Sequence, residues 1–598
     1  MAFYQIDWEP IGRRGPCSAG QTLLDCARRL GVDLASLCGG RGTCGRCRVQ
    51  VLAGRLSEPT ATEHRLLSSQ ELADGYRLAC QALPMGDCRL RVPPSSLTTP
   101  QRTQVEGLEV SVPPEPAVAT CRARLSPPSL SDLQADADRL LAALGPAPAS
   151  PTIDLQVLRG LSPQLRACGW QVAAYLRGNE VVAVGPAAGR ALGLAVDVGT
   201  TKIAAYLVDL ESGQTLAAQG AMNPQIAYGE DVVSRLALAR ESPAEASRLQ
   251  ALVAEALNQL ASELTASVGA GPETIVDAVA VGNTAMHHLL LHLPVEQLAL
   301  APYVPAVSEA LDVKAREVGL RLAPGAYLHL LPNVAGFVGA DHVATLLATG
   351  AAEAEGVVLI IDIGTNTEIC LVCDGRLTSA SCASGPAFEG AHIKHGMRAS
   401  SGAIERLRLT GDQLEYQTIG GSEPAGICGS GILDILAQLY LAGVLDRRGK
   451  LGDHPLIRTC EGEREFVVVP EAGGRPAITF TQRDVRQLQM AKAAIRAGIQ
   501  LLVRASGHAE ADIDRIIIAG AFGSYIDVAS AVTIGLLPPL PLNRFRQVGN
   551  AAGTGARLAL ISRQQRAAAQ TLARRVGYLE LAADPDFART FMQANFIG

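Results

Sequence analysis

Cys38, Cys44 and Cys47 form a C-x5-C-x2-C array in the run Cys38-Gly39-Gly40-Arg41-Gly42-Thr43-Cys44-Gly45-Arg46-Cys47, and Cys80 follows after 32 intervening residues in Arg77-Leu78-Ala79-Cys80-Gln81. Four thiolates are the ligand set of a [2Fe–2S] cluster. Small residues between the first three let backbone N–H groups turn inward and hydrogen-bond sulfur, which stabilises the negative charge of the site. A structural zinc site also takes four thiolates, and buried inert thiols are the plainest reading. Zinc ribbons present two close pairs, whereas this array is three plus one, so the cysteines are read as iron–sulfur ligands. Cys26 sits on an expected helix, and Cys17 and Cys88 lack partner spacing, so all three are read as core or surface thiols.

A second set of residues suits phosphate chemistry. Leu194-Ala195-Val196-Asp197-Val198-Gly199-Thr200-Thr201 recurs as Ile360-Ile361-Asp362-Ile363-Gly364-Thr365-Asn366-Thr367. Each copy is a strand running into an Asp-x-Gly-Thr turn. Such a turn offers backbone amides and hydroxyls to phosphate, and its Asp offers a hard oxygen to Mg2+. Asp197 and Asp362 are the candidate carboxylates and Glu368 a third. Gly199 and Gly364 admit close approach of phosphate; Thr200, Thr201, Thr365, Asn366 and Thr367 supply polar groups, and Lys202 a charge. One Asp-x-Gly turn is a common hairpin; two in matching strand contexts point to a shared site. Arg515-Ile516-Ile517-Ile518-Ala519-Gly520-Ala521-Phe522-Gly523 is a third element, a buried strand ending in a glycine turn, with Gly520 and Gly523 as nucleotide candidates.

The elements that must position these groups follow from periodicity. Thr22 to Leu30 reads as a helix with Thr22 and Asp25 at its start, and Arg48 to Leu52 as a strand. Eleven of the 34 prolines fall between Pro93 and Pro151, which removes backbone donors and marks a linker. Asp132 to Leu144 has helical spacing, and Gln171–Tyr175 and Val181–Val184 alternate as a hairpin around Arg177-Gly178-Asn179. From Leu194 onward Val/Ile/Leu strands alternate with Ala/Leu-rich helices, the pattern of an α/β fold, and Asp374-Gly375 marks a tight hairpin.

The 598 residues exceed any single core, and 52 Lys+Arg against 58 Asp+Glu give a net charge of −6, a poor field for nucleic acid. No apolar run is long enough to span a membrane and no leader is evident, so a cytoplasmic location without membrane attachment is expected. No G-x-x-x-x-G-K-[ST] is present, which excludes a P-loop.

The first 93 residues resemble a β-grasp ferredoxin, with a cysteine loop more like the adrenodoxin type than the plant type. The two Asp-Gly-Thr loops and the 515–523 segment resemble the phosphate-1, phosphate-2 and adenosine loops of the acetate and sugar kinase/Hsc70/actin superfamily, in which ATP lies between two ribonuclease-H-like lobes. Gly282-Asn283-Thr284-Ala285-Met286-His287-His288, Gly385-Pro386-Ala387-Phe388-Glu389-Gly390-Ala391, Gly396-Met397-Arg398-Ala399-Ser400-Ser401-Gly402 and Gly426-Ile427-Cys428-Gly429-Ser430-Gly431 resemble the reductive activators of corrinoid proteins. That resemblance covers nearly the whole chain. It implies an α/β multidomain protein: a ferredoxin unit at 1–93, a Pro-rich linker at 94–125, a small middle domain at 126–190, and ATPase lobes at 191–355 and 356–598.

The resemblance further implies an enzyme that uses ATP, Mg2+ and a [2Fe–2S] cluster to reduce the Co(II) corrinoid protein of a methyltransferase system to Co(I). A low-potential electron donor would be the other partner, and a homodimer is implied. Arg398-Ala399-Ser400-Ser401-Gly402 carries small polar groups that could approach cobalt; the competing reading is a helix cap before Gly402-Ala403-Ile404-Glu405. His287 and His288, adjacent on a helix, point about 100° apart and are read as core or partner surface rather than metal ligands. Other classes remain: an activator of radical acyl-CoA dehydratases, a small-molecule kinase with an appended ferredoxin, and a nonenzymatic electron carrier. The first needs a cluster between the ATPase lobes, where Cys370 and Cys373 alternate across a strand.

Overall fold

The computed structural model describes residues 3–9, 13–30, 32, 34, 47–93, 96, 108, 110–144, 151–229, 231–390, 392–472, 475–520, 522–523 and 525–598. Cys38 and Cys44 lie outside this set, as does Ala521.

At the N-terminal end, a five-stranded sheet is ordered Arg13–Ser18, Phe3–Glu9, Cys88–Arg91, Arg48–Ala53, Tyr76–Leu78. The first and last segments of the unit pair in parallel, Ile6 opposite Cys88, while the remaining pairs are antiparallel. The helix Leu23–Arg29 starts where expected: the Asp25 amide donates to Thr22 Oγ1 (3.1 Å) and the Thr22 hydroxyl donates to Asp25 Oδ2 (2.7 Å). Its Leu23, Leu24 and Ala27 pack against Ile6, Trp8, Val49, Leu78 and Leu90, each buried leucine contributing about 1.5–3 kcal/mol.

The middle unit is a four-stranded sheet, ordered Val118–Arg124, Gln171–Arg177, Glu180–Pro186, Thr152–Ile153, with the helices Asp136–Ala143 and Leu155–Ala167 contributing to one core. Two expectations change here. The strand Val118–Arg124 falls inside the stretch read as linker, because flanking prolines hide a strand that pairs residue for residue with Gln171–Arg177. The helix begins at Asp136 rather than Asp132, whose carboxylate instead holds Arg139 (2.6 Å).

From residue 192 the topology repeats. One six-stranded sheet runs Thr215–Met222, Lys202–Asp209, Leu192–Val198, Ile275–Gly282, Tyr327–Leu330, Leu311–Lys314; the other runs Arg376–Cys382, Thr367–Cys373, Val357–Ile363, Arg515–Ala519, Phe545–Gly549, with Val576–Tyr578 beside its first strand. In both, an antiparallel meander flanks a strand whose other neighbour is parallel. The central strands are buried Val/Ile/Leu/Ala runs, as a sheet covered on both faces requires.

The two halves of the sequence are not the two bodies in space. The helix Ala551–Ile561, far along the second half, packs Ala552, Ala556, Ala559 and Leu560 into the core around Leu194 and Val196, while Ala551 and Leu558 join the cluster of Val358 and Ile360. This helix also grips the segment before the middle unit: the Thr554 hydroxyl (3.2 Å) and Arg557 (3.3 Å) donate to the Leu108 carbonyl. Further along, the Glu115 amide donates to Ile561 O (2.7 Å), and its carbonyl accepts from Arg563 N (2.8 Å). Gly402 is followed by the strand Ala403–Thr410, not a helix, so Ser400 and Ser401 do not cap one; Ser401 Oγ lies 2.6 Å from Ser422 Oγ. Among the described residues no helix is long and apolar enough to cross a membrane.

Candidate functional site

Cys47 and Cys80 are both buried and are brought into one place, because the Ala79 amide donates to the Cys47 carbonyl (2.8 Å). A Gln81 amide hydrogen points to Cys80 Sγ (3.7 Å), the kind of contact that steadies a thiolate. The approach to Cys80 is fixed by a buried ion pair. Arg77 donates to both Glu63 oxygens (2.9 and 3.0 Å), and the same carboxylate accepts the Leu78 and Thr60 amides (both 2.9 Å). Burial alone would raise the Glu63 pKa; the Arg77 and backbone hydrogen bonds outweigh it and hold it below the usual range. Soft thiolates on a pinned hairpin fit an iron–sulfur cluster. Cys38 and Cys44 lie outside the described residues.

Between the duplicated sheets lies a cleft of about 190 Å3, lined by Asp197, Gly199, Thr200, Thr201 and Lys202 from one turn and Asp362, Gly364, Thr365, Asn366 and Glu368 from the other. The turns meet across it: Thr365 Oγ1 donates to Glu389 Oε1 (2.6 Å), so the hydroxyl contact of 3.0 Å between Thr201 and Thr365 has Thr201 as donor. A Cβ on Gly199 would lie 2.6 Å from the Lys202 carbonyl, so the first turn requires glycine. Thr200 Oγ1 is held by Asn283 Nδ2 (2.9 Å).

Four carboxylates share the floor. Asp197 accepts from Asn550 Nδ2 (2.9 Å), Asp362 from the Thr345 hydroxyl (2.7 Å), Asp341 from the His342 amide (2.8 Å), and Glu368 from Ser381 (3.3 Å). Burial, and then the field of Asp362, pushes Asp197 up to about 7 against the Asn550 hydrogen bond. Burial and the charges of Asp197 and Asp362 push Asp341 up to about 8. Burial raises Asp362, and burial with Asp341 and Asp362 raises Glu368. Such mutual repulsion is what a divalent cation relieves, and the donors are hard oxygens. Among the described residues no three such groups converge at ligand geometry.

The opposite wall suits a base and sugar. Gly520 has φ of +91°, and a Cβ there would lie 2.5 Å from Ile363 O and 2.6 Å from Asp362 Oδ1, so this turn closes on the second phosphate turn only as glycine. Phe522 and Phe388 stack with centroids 5.2 Å apart, and the N-terminal end of the helix Gly429–Leu441 faces the cleft, where its dipole favours negative charge.

Two expected contacts fall outside the lining. Thr367, first residue of its strand, is buried and donates to Ser384 Oγ (2.9 Å), which in turn holds the Thr365 carbonyl (3.3 Å). Gly523 turns away, its carbonyl accepting from Gln547 (2.6 Å). Conversely Asp341, Asn550, Glu389, Arg398 and Phe522 line the cleft without having been singled out as ligands. Nothing local marks Asp341 beyond an acidic first helical turn, and Asn550 lies 353 residues from its partner Asp197. Cys370 and Cys373 pack into different clusters on opposite faces of their strand. His288 places Nδ1 2.7 Å from Thr284 O and accepts Ala306 N–H at Nε2 (2.9 Å), and His287 is buried beside it, so the pair belongs to the core.

Four family models match in succession: a 2Fe-2S iron-sulfur cluster binding domain over residues 6–85, the RACo linker region over 107–190, the RACo middle region over 192–354, and the C-terminal domain of RACo, the ASKHA domain, over 356–598. Over 592 residues, 96% of each chain, the sequence is 32% identical to the corrinoid activation enzyme RamQ of Eubacterium limosum. It is 26% identical to the [Co(II) methylated amine-specific corrinoid protein] reductase of Methanosarcina barkeri over 58% of this chain and 66% of that protein. The solved structure of a reductive activator for corrinoid,iron-sulfur protein superposes with a TM-score of 0.73 at 36% identity, covering 99% of this chain and 98% of the other.

Proposed function

Because the chain belongs to the family of RACo, the reductive activators of corrinoid proteins, we propose that it is an ATP-hydrolysing enzyme that returns the Co(II) form of a methyltransferase's corrinoid protein to Co(I). The observation that carries this reading is the closure of two phosphate-type turns over four carboxylates in the same chain as a thiolate hairpin matching a 2Fe-2S domain. A [2Fe–2S] cluster held by Cys38, Cys44, Cys47 and Cys80 supplies one-electron transfer. Reduction of Co(II) to Co(I) is uphill for ordinary donors, each 59 mV of mismatch costing about 1.4 kcal/mol, so an energy source is required.

In this reading Thr200, Thr201, Thr365 and the turn amides bind the phosphates of ATP, with Lys202 adding charge. Gly520 and Phe522 border adenosine. Asp197 and Asp362 would hold Mg2+, whose charge would offset that of the phosphates, with Asp341 and Glu368 as further carboxylates on the same floor. Nucleotide between the two turns would tie one to the other through its phosphates, and hydrolysis would release that tie. A grip on the Co(II) protein that differs between these two states lets the enzyme turn over. A low-potential donor feeds the N-terminal unit, and the protein acts as a homodimer in the cytoplasm.

The test is anaerobic absorption spectroscopy of a Co(II) corrinoid protein mixed with this enzyme and a low-potential reductant, with and without Mg-ATP. Co(I) should appear only with ATP and vanish in Asp362→Asn while the iron–sulfur bands persist. Absence of Co(I) with several corrinoid proteins, despite an intact cluster, sinks the reading.

A further inference from the structure

Arg235, on the helix Val232–Glu241, is completely buried directly behind the first phosphate turn. Its guanidinium donates to four neutral acceptors: the Thr200 carbonyl (2.6 Å), the Gly229 carbonyl (2.9 Å), Gln225 Oε1 (3.3 Å) and Met286 Sδ (3.4 Å). Among the described residues no carboxylate lies within ion-pair distance, and Asp231 and Glu389 act on it only through their longer-range fields. Burial lowers its pKa to about 10, which leaves it charged at neutral pH. A buried cation without a counter-ion is costly, and a structure that keeps one usually places an anion within its field.

The local geometry indicates where that anion sits. Asn223 Nδ2 donates to the Gly199 carbonyl (2.9 Å), so the carbonyls of Gly199 and Thr200 are both drawn inward, one by an amide and one by Arg235. A trans peptide is planar with its C=O and N–H antiparallel. Fixing those two carbonyls inward therefore turns the N–H groups of Thr200 and Thr201 the other way, and neither donates to a protein acceptor among the described residues. Both residues line the cleft.

We propose that Arg235 is the positioning residue of the first phosphate turn: its fork locks the Thr200 carbonyl so that two amides face the phosphates of the nucleotide, and its unpaired charge favours the polyanion from behind. It touches no substrate. The proposal deepens the nucleotide-binding reading above and rests on it. Lysine at this position keeps the charge but not the planar fork that spans Thr200 and Gly229; glutamine keeps a donor but not the charge.

The test is calorimetric titration of full-length wild type, Arg235→Lys and Arg235→Gln with Mg-ATP and, separately, with adenosine, which shares the base pocket but carries no phosphate. Arg235→Gln should bind Mg-ATP at least tenfold more weakly and Arg235→Lys about threefold more weakly, with adenosine affinity unchanged within twofold for both. Should Arg235→Gln fail to fold, the Arg235→Lys comparison alone decides. Equal losses for ATP and adenosine would show a purely structural role and overturn the proposal, as would unchanged ATP affinity. Wild type that binds no Mg-ATP would instead overturn the nucleotide reading itself.

Discussion

The hydroxyls of Thr201 and Thr365, 164 residues apart in sequence, lie 3.0 Å from each other, and the second donates a hydrogen bond to Glu389 Oε1 at 2.6 Å. The two turns are thus joined by a hydrogen-bonded chain that ends on a carboxylate. Phosphate entering between them replaces one neutral contact with charge-assisted ones. Thr365→Val, which keeps shape and removes the hydroxyl, should lower kcat/KM for ATP hydrolysis by about 10–100-fold, the worth of one hydrogen bond to a charged group. Hydrolysis at the wild-type rate would mean that the threonine pair only packs.

The Glu63–Arg77 pair makes the thiolate hairpin sensitive to a residue that touches no ligand. Arg77→Leu leaves a completely buried carboxylate without its partner and should cost about 3–5 kcal/mol in the N-terminal unit. Purified protein should carry less iron and weaker iron–sulfur absorption, while Mg-ATP binding measured on the same sample stays at the wild-type value. Cys80→Ser should remove the cluster with nucleotide binding again retained. Loss of ATP binding in either variant would contradict the separation of the two units.

Glu465 gives the stability a pH signature. It is buried, yet Lys394 (2.6 Å), Arg458 (2.8 Å) and the Thr479 hydroxyl (2.9 Å) hold it. Burial raises its pKa, and these three partners overcome that and bring it down to about 2. A carboxyl with a depressed folded-state pKa contributes stability above its unfolded value near 4.5, and that stability is lost as pH falls toward 2. Glu465→Gln should therefore lower the thermal midpoint most at pH 7, by an amount equivalent to about 3 kcal/mol, with the gap to wild type narrowing by pH 4. A gap that does not change with pH would assign the effect to packing.

The segment at Glu115 is held by backbone rather than side chain. Its exposed ion pair with Arg563 (2.9 Å) is worth little, but its amide and carbonyl both bond to the chain around Ser562. Glu115→Ala should leave the thermal midpoint within about a degree, whereas Glu115→Pro removes the amide donor and should cost about 1–2 kcal/mol. Equal effects of the two substitutions would refute the backbone account.

The alternation of Val/Ile strands with Asp-x-Gly-Thr turns was enough to read the duplicated lobes, since a strand buried on both faces must be apolar and the turn after it must be small and polar. The cysteine spacing likewise pointed to the 2Fe-2S domain that a family model matches over residues 6–85, and Thr22 with Asp25 to the helix start. Those are rules written in short runs of the chain, even where, as with Cys80, a run lies far from its partners. The pairing of Asp197 with Asn550, the place of Asp341 beside Asp362, and the support of Thr200 by Arg235 obey no local rule. They exist because the helix Ala551–Ile561 crosses back beneath the first sheet, because the helix carrying Asp341 packs against that helix and both sheets, and because the helix carrying Arg235 packs against the turn Pro224–Tyr228 and the helix Pro243–Ser267. The strand Val118–Arg124 was hidden for a related reason: its partner Gln171–Arg177 lies some 50 residues away, and only pairing reveals it. Sequence determined which groups could do chemistry; the packing of distant helices decided which carboxylates repel, which turns touch and which charge lies unpaired behind them.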